Sequence, residues 1–145
     1  MPNSVDHEVA IMVKALFDAT AALTTDCAGG LRWELFKQPA DASALTEPYC
    51  IMKISQSRQP VHCTGSDTIL YRLVQFRVYG DEAAAATAAG RIRATFHRAA
   101  LGNPTGGIFM HCLEADSNAS IEMWARDSKM KWQAEWACEI AVCMS

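Results

Sequence analysis

What this sequence lacks narrows it before anything it contains. No apolar run approaches the ~20 residues needed to cross a bilayer as a helix. Met1 to Lys14 has no basic-then-apolar pattern of the secretory kind, so the expectation is a soluble, intracellular chain. No CxxC occurs anywhere. The glycine-rich places, Gly29-Gly30 and Gly102 to Gly107, do not stand between a strand and a following helix with phosphate-loop spacing, so they read as turns. No serine or cysteine sits in a nucleophile-elbow context. Positive charge is not in excess either: 13 Lys and Arg face 16 Asp and Glu, a net charge of −3. That balance argues against sequence-specific nucleic-acid binding, whose footprint is a strong basic excess.

What is present describes a folded domain. The chain has 145 residues, half of them hydrophobic and a fifth charged. One α+β domain over 1–145 is expected, burying roughly 68–70% of its unfolded surface. No internal repeat or linker interrupts it, and the alanine-rich stretch is helix-forming rather than disordered. The six cysteines are irregularly spaced, and Cys50 and Cys138 fall inside apolar strand-like runs. They are expected to be reduced, mostly buried thiols. The dipeptides His62-Cys63 and His111-Cys112 tempt a zinc reading, yet neighbours on a strand point to opposite faces. Each pair can offer one ligand to a shared site, so neither a metal nor a cofactor is expected.

Hydrophobic periodicity sets the elements. Val5 to Leu23 carries Val5, Val9, Met12, Val13, Leu16 and Phe17 at helical spacing, with Asp6, Glu8, Lys14 and Asp18 outside the stripe. Turn chemistry from Thr24 to Gly30 ends it. Leu31 to Phe36 and Tyr49 to Ser55 read as strands, separated by a loop with Pro39 and Pro48. Gln56 to Asp67 is polar and reads as the mobile end of a hairpin. Thr68 to Tyr79 is the strongest strand, apolar on both faces at its start, which implies cover from two sides there. Asp81 caps a helix from Ala83 to Leu101 with a buried stripe of Ala85, Ala88, Ala89, Ile92, Phe96 and Ala99. Gly107 to Glu114, Ile121 to Ala125 and Lys131 to Cys143 complete the strands, with a turn at Ala115 to Ser120. The last alternates Trp132, Ala134, Trp136, Cys138, Ile140 and Val142 inward against Gln133, Glu135 and Glu139 outward. The predicted order, α-β-β-β-α-β-β-β, makes a mostly antiparallel sheet with two helices packed on one face.

Candidate chemistry is thin. His97 and His111 are the available general bases, and nothing nucleophilic accompanies them. Arg91, Arg93, His97 and Arg98 form a basic cluster on the second predicted helix, read either as a solvated face or as an interface. Trp124 lies in a weak, polar strand and reads as an edge residue or an assembly contact. The hairpin residues Arg58, Gln59 and His62 complete the candidate contact set.

Three stretches, in order, resemble the tail terminator or tail completion proteins of long-tailed bacteriophages. They are ALTEPYCIMKIS (Ala44 to Ser55), RLVQFRVYGDEAAAATAAGRIRATF (Arg72 to Phe96) and KWQAEWACEIAV (Lys131 to Val142). The resemblance spans nearly the whole chain, roughly Glu8 to Val142. It implies a non-enzymatic subunit, without catalytic residues, that assembles with itself into a ring, typically sixfold. Such a ring caps the tail tube, stops its growth and joins it to the head connector. The implied partners are other copies of the chain, the tail tube protein and the head-tail connector protein. The implied location is the virion neck, reached through the host cytoplasm. Two rivals stand beside it: a small-molecule-binding or enzymatic α+β domain, and a stand-alone adaptor for one protein partner.

Overall fold

The computed structural model describes residues 4–33, 46–63, 65–115, 122–125 and 132–145, with backbone alone for 122–125. Its elements are helices α1 (Val5–Ala19), α2 (Ala21–Asp26) and α3 (Glu82–Phe96), and strands β1 (Leu31–Trp33), β2 (Tyr49–Gln56), β3 (Val61–His62), β4 (Thr68–Gly80), β5 (Gly107–Glu114), β6 (Glu122–Ala125) and β7 (Trp132–Met144). The expected α+β class holds: the helices cover one face of a seven-stranded sheet, ordered β1-β2-β4-β7-β5. Every pairing is antiparallel except β1 with β2.

The long strands β4 and β7 pair along their whole length, from Thr68 opposite Met144 to Gly80 opposite Trp132. Each has a broken strand on its other side. β2 and β3 run successively along β4, interrupted at residues 57–60. β5 and β6 do the same along β7. A bulge between Phe109 and His111 shifts the β5 register, so that Phe109 and Cys112 both turn toward the core although they are three residues apart.

The core lies between this sheet and the helices. Val74, Phe76 and Val78 of β4 and Ala134, Trp136, Cys138, Ile140 and Val142 of β7 face it. Trp136, Ile92 and Phe96 are all buried, as the alternation of the last strand requires. Phe76 is the centre of the aromatic packing, its ring 5.0 Å from Phe96 and 6.0 Å from Trp136. The small residues Ala85, Ala88 and Ala89 let α3 lie close on the strands.

Several boundaries differ from the sequence reading. The first predicted helix is two, because Thr20 takes an extended conformation and its hydroxyl donates back to the Leu16 carbonyl at 2.8 Å. Glu8, expected outside, is buried at the α1–sheet junction, where it accepts the Thr105 amide at 3.1 Å. α3 stops at Phe96 rather than Leu101, since Arg98 enters the left-handed region (φ 61°) and its amide donates to the Cys112 carbonyl. Ala99 therefore leaves the helix stripe and is only half-buried. Asp81 sits at the N-cap position without a side-chain hydrogen bond. The expected double cover over the start of β4 is missing among the described residues, where Ile69, Tyr71 and Leu73 are all half-exposed. Gln133 and Glu139, assigned to the outward face of β7, are nonetheless largely buried by their neighbours. Leu35, Pro39 and the turn at 116–120 lie outside the described residues.

Beyond α3, the chain between His97 and Pro104 runs along the outer edge of β5. Arg98 donates to the Cys112 carbonyl at 2.8 Å, Asn103 Oδ1 accepts the Phe109 amide at 3.0 Å, and His97 Nδ1 accepts the Glu114 amide at 3.2 Å. Backbone groups that an edge strand would leave open are thus occupied from within the chain.

Candidate interaction surface

The helix-free face of the sheet carries the main concentration of polar interactions. Across four strands one row reads Val61, Ile69, Cys143 and Ile108. The next places Tyr71, Ala141 and His111 side by side, and the next Leu73, Glu139 and Leu113. Farther down stand Gln75 beside Ala137 and Arg77 beside Glu135, ending in a small cluster of Tyr49, Ile51 and Tyr79. Tyr49 and Tyr79 stack with centroids 5.2 Å apart.

Glu139 is the hub of the upper part. Arg58 Nε and Nη2 donate to its two oxygens at 2.8 and 2.7 Å, a bidentate pair. Ser57 Oγ donates at 3.1 Å and His111 Nε2 at 3.2 Å. Burial pushes the Glu139 carboxyl up, but the donors Arg58, His111 and Ser57 together outweigh it and leave it below the usual glutamate range. The Arg58 guanidinium also lies 4.9 Å above the Tyr71 ring. In the lower part Glu135 accepts from Gln75 and Arg77 at 3.0 and 3.1 Å. The carboxylates at both places are answered by cations of the same face.

These contacts correct the expectation of a mobile hairpin. Arg58 anchors residues 57–60 over the sheet, and Val61 and His62 form β3 against β4. The signal missed in the sequence was a carboxylate 81 residues away. His62 Nδ1 lies 3.3 Å from Thr68 Oγ1, while Gln59 is exposed beside a depression it lines with Gln56, Ser57 and Arg58.

The basic cluster of α3 is not a bare cationic stripe. Arg91 donates to Asp26 at 2.9 Å and Arg93 donates to Glu114. Arg98 lies just past the helix and is exposed. Glu114 also accepts the Trp136 indole at 2.9 Å, and the hydrogen bonds from Arg93 and then Trp136 hold its carboxyl below the usual range. His97 and His111 are thus engaged with a backbone amide and with Glu139. The structure brings Arg58 and His111 together and leaves Arg91, Arg93 and Arg98 on the opposite, helical side. Trp124 lies on β6 opposite Gln133, its side chain outside the described part. Among the described residues no cluster of three or more His, Cys, Asp or Glu side chains is placed to hold a metal ion. Cys27, Cys50, Cys112 and Cys138 are buried, and burial pushes the Cys27 thiol up to about 12.

No family model matches the chain, and no curated protein does. A solved structure does: a chain described as "Virion of native gene transfer agent (GTA) particle" superposes with a TM-score of 0.69 over 96% of this chain and 97% of that one, at 13% identity. At that identity the likeness is one of fold, and it extends over nearly the full length of both chains.

Proposed function

We propose that this protein is a structural subunit of a virion-type particle, and within it a subunit of the tail terminator ring. The observation that carries this reading is the likeness over nearly both full lengths to a chain of a gene transfer agent virion. The sequence resemblance to tail terminator proteins supports the same conclusion by a separate route. The chain, as one domain, assembles with itself, caps the tail tube and meets the head connector, acting by contact rather than by catalysis. Its place is the virion neck, after assembly in the host cytoplasm. A ring needs head-to-tail contacts between two different surfaces of each subunit. Arg58, Gln59 and His62 belong to one, Arg91, Arg93 and Arg98 to the other, and Trp124 to the β6 end of the sheet. The test is the mass of the purified chain by light scattering, alone and with its tail tube protein, followed by electron microscopy of the product. A closed ring, probed for sixfold symmetry, seated at one end of the tube is expected. A chain that stays monomeric in the presence of the tube protein overturns the reading.

A further inference from the structure

Two kinds of contact close the outer edge of β5. The Arg98 amide donates to the Cys112 carbonyl at 2.8 Å, and the Phe109 amide donates to Asn103 Oδ1 at 3.0 Å. None of these four groups titrates, so neither bond answers to mild acid. The third contact differs. The Glu114 amide donates to His97 Nδ1 at 3.2 Å. A backbone N–H can only donate, so Nδ1 must keep its lone pair. His97 is therefore neutral in this arrangement, with its proton on Nε2.

The path of the chain sets the ring there. α3 ends at Phe96, His97 is its C-cap, and Arg98 takes the left-handed conformation (φ 61°) that carries the run onto β5. Among the described residues, the charged and titratable groups of the elements that meet at this point are few. They are Arg93 on α3, Arg98 in the run, Glu114 and the buried Cys112 on β5, and the buried Cys138 on β7 opposite Glu114. The Glu114 carboxylate is the one anion of the set, and its two oxygens are unequally used. Oε1 accepts from Arg93 Nε and from the Trp136 indole at 2.9 Å, whereas the contact of Arg93 Nη2 with Oε2 is 3.4 Å long. We infer that His97 is a proton-operated latch on the β5 rim. Taking a proton from solvent at Nδ1, it releases the Glu114 amide and turns to donate to the less-used Oε2 of the Glu114 carboxylate. The bonds made by Arg98 and Asn103 stay, so only the C-terminal end of the rim opens. The latch is a property of the fold and does not depend on the ring reading.

The experiment is NMR of the full chain, read on one ring and two amides. At about pH 8 the ring-nitrogen signals of His97 should show Nδ1 bare and Nε2 carrying the proton. From about pH 8 to about pH 5, the exchange protection of the Glu114 amide, taken relative to an unstructured chain, should fall about tenfold. That of Phe109, whose acceptor is Asn103, should hold over the same range. Glu114 stays ionised throughout, because its carboxyl sits below the usual glutamate range. In His97→Asn the side-chain oxygen does not titrate, so Glu114 protection should be independent of pH at whatever level it stands. Four results would each overturn the latch: a proton on Nδ1 at the upper pH, unchanged Glu114 protection across the range, an equal fall in Phe109, or the same fall in His97→Asn. If that variant does not fold, the comparison of Glu114 with Phe109 in the wild type decides by itself.

Discussion

Trp136 and Glu114 sit on neighbouring strands, and the indole Nε1 of the first donates to the carboxylate of the second at 2.9 Å while its ring fills the core. The largest fully buried side chain among the described residues is thereby fixed at both ends. Arg93 holds the same carboxylate from α3, so one acidic side chain ties helix, edge strand and central strand together.

Replacing Trp136 by Ala is expected to cost about 3–5 kcal/mol, because it opens a cavity beside Phe76 and removes one of the donors to the Glu114 carboxylate. Urea unfolding with an unchanged m-value measures it. Near-wild-type stability would show that Trp136 does not fill the core.

Arg58→Ala should loosen the hairpin without unfolding the sheet. Arg58 is largely exposed, so the loss in stability is expected to be small. Amide exchange over residues 57–63 should nevertheless rise, since the guanidinium is what fastens that segment to Glu139. Unaltered exchange would mean that β3 alone holds the hairpin.

Acid should destabilise the fold through Glu139 and Glu114. Both carboxyls sit below the usual value in the folded state, so their contribution is present above the unfolded pKa and is lost as pH falls through the folded one. The melting temperature should decline from about pH 4.3 downward. In Glu139→Gln the acid limb should be shallower, although the variant starts less stable at neutral pH. An acid limb identical to wild type would remove Glu139 from that account.

Gly29→Ala should destabilise strongly, by several times the ~1 kcal/mol typical of point mutants. A Cβ at that position would lie 2.0 Å from the Thr46 carbonyl oxygen and 2.6 Å from Tyr49 Cβ, and the first of these is backbone that cannot rotate away. Gly90→Ala on α3, where nothing lies within 4 Å, is the matched control and should be neutral or stabilising. Equal melting temperatures for the two would refute the close approach of the 27–30 turn to β2.

Much of the fold was legible because burial here follows period. The stripe Ala85, Ala88, Ala89, Ile92, Phe96 and the alternation around Trp136 each point to one face, and each is buried as read. What was not legible depended on partners distant in sequence. Glu8 looks like an outer helix residue until Thr105, 97 positions on, supplies an amide. Arg58 looks like a loop charge until β7 brings Glu139 beneath it. Arg91 and Arg93 look like a free basic face, yet Asp26 and Glu114 neutralise them. The apolar outer half of β4 was visible in Ile69, Tyr71 and Leu73, but its meaning was misjudged. Among the described residues it forms part of a half-exposed face with no second layer over it.

The short run from His97 to Asn103 has a consequence for what the β5 rim can pair with. An unblunted strand at the rim of a sheet templates another like itself, and the process has no natural end. Here three backbone positions of β5 are already spoken for by Arg98, Asn103 and His97. Fibrous growth through that rim is closed off at the outset. At that rim a neighbouring molecule meets side chains and turns rather than a row of open backbone groups.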